Sequence, residues 1–179
     1  IALGVGVSIG TTSLIANTLG EQNNKKASLY LAQAVFLGTI VALLVTILGI
    51  LIAPFIIGMM NTNVDTLSLS IDYLNIIFLG SIFFFIQITL NSSLIAKGDT
   101  KSNRNVLIFS FFLNIFLNPL FIFGYSFIPA MGIKGIAIAT ITAQFIGMCY
   151  IIYKIYLTNL KEYLYPKCFF PKLNLIKEL

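Results

Sequence analysis

The amino-acid sequence predicts an all-α polytopic membrane protein that folds as a bundle of helices. Hydrophobic residues make up 58% of the 179 residues and charged residues only 9%, whereas soluble domains carry roughly 25% charged residues. The mean hydropathy is +0.97. A folded protein of this size exposes much of its surface, and water would solvate so apolar a surface poorly. The lipid bilayer is therefore the expected partner of that surface.

Charged residues divide the chain into five uncharged stretches. Each stretch is long enough to cross a bilayer once, because a spanning helix needs about 20 apolar residues. The expected spanning helices comprise residues 1–19, 28–58, 71–96, 105–124 and 134–157. They form one domain, residues 1–157, and residues 158–179 are expected to be a basic cytoplasmic tail or a linker. The chain is expected to be a piece of a longer polytopic protein.

Turn-forming residues mark the ends of these helices. Gly20 and Gly98 follow the first and third helices, and each precedes an acid. Glycine readily adopts the left-handed conformation that caps a helix, so we expect that conformation at both positions. Pro54 and the polar residues beyond it end the second helix, Gly124 ends the fourth, and Lys134 precedes the fifth.

Basic residues lie almost entirely on one side of this arrangement. Ten of the eleven Lys and Arg residues lie in the tail, at its start, or in the connections after the first and third helices; Lys134 alone lies opposite. By the positive-inside rule, the first helix runs from outside to inside and the tail is cytoplasmic. We therefore expect a multi-pass protein of the cytoplasmic membrane. The net charge of +5 reflects this topology and does not predict a nucleic-acid partner.

The sequence contains no motif of an enzyme. It has no histidine, no carboxylate pair at a useful spacing and no phosphate-binding glycine loop. Its two cysteines, Cys149 and Cys168, predict neither a disulfide framework nor a metal-ligand cluster. We therefore expect neither an enzyme nor a bound metal or cofactor.

Polar residues at helical spacing mark the candidate functional site. Three pairs lie four residues apart, so that each pair shares one face of its helix: Gln87 and Asn91, Asn114 and Asn118, Thr140 and Gln144. Pro119 leaves the carbonyl of Ile115 without its helical partner. Such groups are costly when they face lipid. We expect them to line a substrate or ion pathway; the alternative is hydrogen bonding between helices, worth about 0.6–2 kcal/mol per contact.

Two longer stretches resemble the multidrug and toxic compound extrusion (MATE) family. They are AKGDTKSNRNVLIFSFFLNIFLNPLFIFG, residues 96–124, and MGIKGIAIATITAQ, residues 131–144. The resemblance implies a transporter of two six-helix lobes, in which this chain supplies the second to sixth helices of the first lobe. The first helix and the second lobe would then be partners within the same protein.

The resemblance also implies a function, namely secondary-active efflux of small organic cations or drugs coupled to a proton or sodium gradient. The fifth helix of many relatives reads Asn-x-x-x-Asp-Pro. Asn114 matches its first position, but Asn118 departs from the pattern because an amide cannot release a proton. A flippase for lipid-linked saccharides, a membrane-embedded enzyme and a structural subunit are the alternatives.

The predicted topology can be tested with reporter fusions in the full-length protein. Fusions after Lys101 and after Tyr125 should report opposite sides of the membrane, because one expected helix separates them. A phosphatase that is active only outside and a fluorescent protein that folds only inside measure this directly. The same side for both positions would disprove the topology.

Overall fold

The computed structural model describes residues 2–60, 64–125 and 128–158, and these residues form five α-helices. The helices are α1 (Ala2–Gly20), α2 (Asn24–Met59), α3 (Val64–Ala96), α4 (Lys101–Phe123) and α5 (Ile133–Tyr156). The predicted all-α class is confirmed. Residues 159–179 of the expected tail lie outside the described residues.

Four of these helices are long and apolar enough to cross a membrane, namely α2, α4, α5 and the part of α3 from Thr66. α2 continues without interruption through Pro54, and both α2 and α3 begin earlier than the sequence pattern predicts. α1 contributes a fully buried side chain, Ile15, to the apolar core, which also contains Tyr30, Leu31 and Ile151. That each of the five helices spans the membrane stays a prediction.

Small residues and hydroxyls bring α2 close to α3. A Cβ placed on Gly38 would lie 2.7 Å from Oγ1 of Thr89. Further along, Oγ1 of Thr46 donates to the carbonyl of Phe78 over 2.8 Å. Residue numbers rise along one helix as they fall along the other, so the two helices are antiparallel. Such close approach replaces the hydrophobic effect as the force that packs helices in lipid.

α1 and α5 both run parallel to α3. Ser8 of α1 shares a 2.7 Å hydrogen bond with Ser92. At one end of α5, Nζ of Lys134 lies 2.8 Å from a carboxylate oxygen of Asp72. The Asp72 carboxylate therefore forms an ion pair that joins two helices far apart in sequence.

The hairpin between α3 and α4 is closed by Asp99. Its carboxylate accepts hydrogen bonds from Oγ of Ser102 (2.6 Å) and from the backbone N–H of Ser102 (3.0 Å). These two bonds hold the pKa of the Asp99 carboxyl below its ordinary value. Gly98 has the expected positive φ of 83°. The same expectation for Gly20 is wrong: Gly20 stays within α1, and Gln22 adopts the left-handed conformation instead, with φ 57°.

The other end of α4 stops at Gly124, whose φ is 73°. A side chain here would collide with the returning loop, because a Cβ would lie 2.6 Å from the carbonyl oxygen of Ile128. The N–H of Met131 then donates to the carbonyl of Phe121 over 3.0 Å, which satisfies one of the last α4 carbonyls. At Gly135, α5 packs directly on the Phe121 backbone, so a Cβ would lie only 2.6 Å from it.

Replacing Gly135 by alanine should destabilise the protein by about 1–3 kcal/mol, the usual cost of overpacking. The obstacle at this position is backbone, which has no rotamer to change. Gly58→Ala is the matched control, since among the described residues no side chain or other segment lies within 4 Å of a Cβ there. The melting temperature of the detergent-purified full-length protein should fall for Gly135→Ala alone. Equal melting temperatures for both variants would contradict the close contact.

Candidate functional site

A polar cleft of about 310 Å³ lies between α1, α3 and α4. Its lining consists of Ser8, Phe84, Gln87, Ile88, Asn91, Ile95, Asn103 and Leu107. The cleft brings together the predicted pair Gln87 and Asn91 with one polar residue from each neighbouring helix. None of these lining residues carries a charge.

Gln87 and Asn91 dominate the chemistry of the cleft. Their spacing of four places both on one face of α3, and only 5% of Asn91 is exposed. The side-chain oxygens Oε1 of Gln87 and Oδ1 of Asn91 are buried, and neither has a hydrogen-bond partner among the described residues. A buried acceptor left in this state costs about 1–3 kcal/mol. Oε1 of Gln87 lies beside Gly147 of α5, 3.1 Å from the position that a Cβ would take there. Both side chains thus line the cleft while their oxygens lack a hydrogen-bond donor among the described residues.

Two polar residues of the lining, Ser8 and Asn103, were not predicted from the sequence as site residues. Ser8 lies in a glycine-rich helix, where a serine is equally typical of helix packing. Asn103 lies one turn into α4, beside the charged hairpin, and a polar residue there is normally solvated. The hydrogen bond between Ser8 and Ser92 brings α1 to the cleft, and no sequence spacing could reveal a contact between residues so far apart.

The remaining predicted residues lie between α4 and α5. Near the start of α4 and the end of α5, the two helices touch through Val106 and Gly147, since a Cβ on Gly147 would lie 2.9 Å from Cγ1 of Val106. Near the end of α4 and the start of α5, they touch through Phe121 and Gly135. Interpolation between these two contacts places Thr140 level with Asn114, and Gln144 about one turn closer to the Val106–Gly147 contact. Asn114 also lies on the face of α4 that is turned toward α5.

Asn114 and Thr140 bond within their own helices. Nδ2 of Asn114 donates to the carbonyl of Ser110 over 2.9 Å. Oγ1 of Thr140 donates to the carbonyl of Ile136 over 3.0 Å. The carbonyl oxygen of the Asn114 amide and the second lone pair of the Thr140 hydroxyl can still accept hydrogen bonds.

Asn118 lies one turn beyond Asn114, and α4 continues past Pro119 to Phe123. Oδ1 of Asn118 is buried without a hydrogen-bond partner among the described residues. Neither Asn114 nor Asn118 lines the cleft that contains Gln87 and Asn91. That Asn114, Asn118 and Pro119 face a cavity with Thr140 and Gln144 opposite stays a prediction.

Comparison with known proteins identifies the family. A family model described as MatE matches residues 1–120, well over half of the chain. The chain belongs to the MatE family. The resemblance seen in the sequence is thereby confirmed, and membership places the chain among transporters rather than enzymes.

Individual relatives agree with MatE membership. A protein named probable multidrug resistance protein NorM, from Thermotoga maritima, is 33% identical over 98% of this chain and 38% of its own length. The FAD transporter of Shewanella oneidensis is 28% identical over 83% of this chain and 32% of its own length. The chain thus spans about two fifths or less of the length of these relatives.

A solved MatE-type structure shares the fold. It is an inward-facing multidrug resistance MATE family transporter of the MOP superfamily, with a TM-score of 0.86 and 22% identity. The alignment covers 99% of this chain and 40% of that one. The five helices described above therefore adopt the arrangement found in part of that transporter.

Cysteine labelling tests whether the cleft of this MatE chain holds water. In a cysteine-free background of the full-length protein, Ser8→Cys should react with a charged methanethiosulfonate reagent at least about tenfold faster than Ile9→Cys. The reagent reacts with the thiolate, which forms in water and not in lipid. Ile9 lies on the surface of the helix bundle, where it is 65% exposed. Equally slow labelling at both positions would show a dry cleft, with amides that serve only helix packing.

Proposed function

We propose that this chain is part of a secondary-active efflux transporter of the cytoplasmic membrane, which exports small organic cations or drugs in exchange for protons or sodium ions. MatE membership and the name of the multidrug resistance relative support this proposal. Within the chain, the observation that carries it is the cleft lined by Gln87 and Asn91, whose buried amide oxygens have no hydrogen-bond partner among the described residues.

The chemistry of the cleft suits a cationic, partly apolar substrate. Amide oxygens carry partial negative charge and accept hydrogen bonds from a protonated amine. Phe84 lines the same cleft and offers an aromatic face that attracts a cation. Ile88 and Leu107 provide apolar contact for the body of the molecule. The volume lies at the lower end of the range for ligand pockets, roughly 300–1,000 Å³.

The gradient that drives export would act elsewhere in the protein. No acid lines the cleft, and position 118, where the family pattern has an aspartate, is an asparagine. An amide does not titrate between pH 5 and 9, so it can ligate a cation or bind substrate but cannot carry a proton. Under this proposal, proton or sodium coupling rests on the first helix and the second lobe.

Export of a flavin nucleotide is a second candidate. It is favoured by the relative named FAD transporter and by the uncharged cleft, which contains no carboxylate to repel a phosphate. The NH₂ groups of Gln87, Asn91 and Asn103 would donate hydrogen bonds to such a substrate. A cationic substrate would thus bind the amide oxygens, and an anionic substrate the NH₂ groups of the same side chains.

Everted vesicles that contain the full-length protein separate these functions. A cationic dye should be accumulated when a proton or sodium gradient is imposed, and Asn91→Leu should lower the rate about tenfold or more, as expected for loss of a hydrogen bond to a charged group. Asn75→Leu is the matched control, because Asn75 lies on the same helix, also has a buried oxygen without a described partner, and does not line the cleft. Movement of FAD without movement of the dye would replace the first candidate by the second.

Asn118 can be tested in the same assay. Asn118→Leu should impair export while protein abundance in the membrane is unchanged, and Asn118→Asp should introduce a pH dependence that the native amide lacks. Phe116→Leu, two residues away and 72% exposed, should leave transport unaltered. Normal export by Asn118→Leu, or loss of the protein from the membrane, would assign Asn118 to helix packing alone.

A further inference from the structure

A second groove, of about 460 Å³, runs between α4 and α5. Its lining consists of Asn105, Val106, Phe109, Ile146, Gly147 and Tyr150. Most of these side chains are apolar, and the absent side chain of Gly147 allows α4 and α5 to approach each other beneath the groove. The groove is independent of the transport function proposed above.

This groove faces away from the polar cleft. Along α4, Asn103 and Leu107 line the cleft, whereas Asn105 and Phe109 line the groove. Neighbouring members of these two sets are two residues apart, which on a helix is a rotation of about 200°. If the cleft faces the interior of the lobe, the groove faces the surrounding lipid.

The inner end of the groove has a basic rim, formed by Lys101 and Lys154. Lys101 lies one turn before the lining residue Asn105, on the same face of α4. Nζ of Lys154 lies 5.7 Å from the ring centre of the lining residue Tyr150. Because α4 begins and α5 ends at the same membrane face, these two cations lie at the side that the positive-inside rule assigns to the cytoplasm.

One acid also lies near the rim. The charge of Lys154 contributes to the lowered pKa of the Asp99 carboxyl, so the two groups are within electrostatic reach of each other. The two oxygens of Asp99 are already bonded to Ser102. Among the described residues, two cations thus face one carboxylate that is already engaged, which leaves the rim positive.

An apolar slot beneath a positive rim matches the two parts of an anionic lipid. We propose that the groove between α4 and α5 binds an anionic phospholipid of the inner leaflet, with an acyl chain along Phe109 and Ile146 and the phosphate at Lys101 and Lys154. Basic residues at the inner end of membrane helices attract anionic headgroups, and each contributes roughly a fivefold preference near the surface. A zwitterionic lipid would fill the same groove without that preference.

Bromolipid quenching tests the proposal, because the chain has no tryptophan. Phe109→Trp places a probe in the groove. Phe116→Trp, two turns further along the same face of α4, 72% exposed and outside the groove lining, is the matched control. Tryptophans in other parts of the full-length protein are replaced by phenylalanine, and the protein is reconstituted in mixed vesicles in which either phosphatidylglycerol or phosphatidylcholine carries the bromine.

Phosphatidylglycerol should quench the Phe109→Trp probe with about fivefold higher apparent affinity than phosphatidylcholine, and the Phe116→Trp probe with no preference. Lys101→Gln together with Lys154→Gln should abolish the difference. Equal quenching by both lipids at position 109, or a preference that survives loss of both charges, would overturn the proposal. Absence of quenching by either lipid would overturn it too, since another segment of the protein would then cover the groove.

Native mass spectrometry of the protein with unaltered Phe109 provides a measurement that does not depend on the tryptophan substitutions. Phosphatidylglycerol should be retained in preference to phosphatidylcholine, and the Lys101→Gln, Lys154→Gln double variant should lose that retention. Equal retention by both proteins would overturn the proposal.

Discussion

Lipid offers no hydrogen bonds, and this constraint shapes the interior of the bundle. A polar group in the hydrocarbon region must find its partner within the protein. Hydroxyl side chains solve the problem locally by donating to the carbonyl four residues earlier in their own helix, as Thr11, Thr39 and Thr142 do. Serine and threonine can therefore be placed along these helices at little cost and used where helices approach closely.

Amide side chains have no such local solution for their oxygens. A helix interior offers no free N–H to an amide carbonyl, so the oxygen depends on a neighbouring helix, water or a ligand. Four amide oxygens are buried without partners among the described residues, those of Asn75, Gln87, Asn91 and Asn118. Two of the four belong to residues that line one cleft, Gln87 and Asn91. That shared cleft distinguishes them, as a candidate site, from the isolated amides of Asn75 and Asn118. The remaining three fifths of a full-length MatE transporter can provide partners to the others.

The same constraint explains how much could be predicted from the sequence. Charges are excluded from the hydrocarbon, so they mark the helix ends, and the all-α class follows from that alone. Spacing of four assigned Gln87 and Asn91 to one face correctly. It could not reveal that Ser8 and Asn103 would join them, because that depends on which helices become neighbours.

Local turn geometry and long-range pairing escaped prediction for similar reasons. Gly98 adopts the left-handed cap, yet Gly20 does not, because α1 continues one residue longer and Gln22 turns the chain instead. The pattern of glycine followed by an acid is the same in both hairpins, so only the helix length decides between them. Likewise, the contact of Asp72 with Lys134 joins residues on two helices that are separated by a third in sequence.

These contacts distribute restraint unevenly among the helices. α5 is joined to α3 by the Asp72–Lys134 ion pair near its start and by the edge-to-face contact of Phe145 with Phe83 further along. α4 packs mainly on α5 and leaves most of its large side chains exposed, among them Phe112 and Phe116.

α4 also borders both openings of the bundle, the polar cleft on one face and the apolar groove on the other. Pro119 within it removes one backbone hydrogen bond, at a point where a helix bends most easily. A displacement of α4 toward the cleft would narrow the cleft and widen the groove in the same movement, so the packing of this one helix sets the volume of both openings.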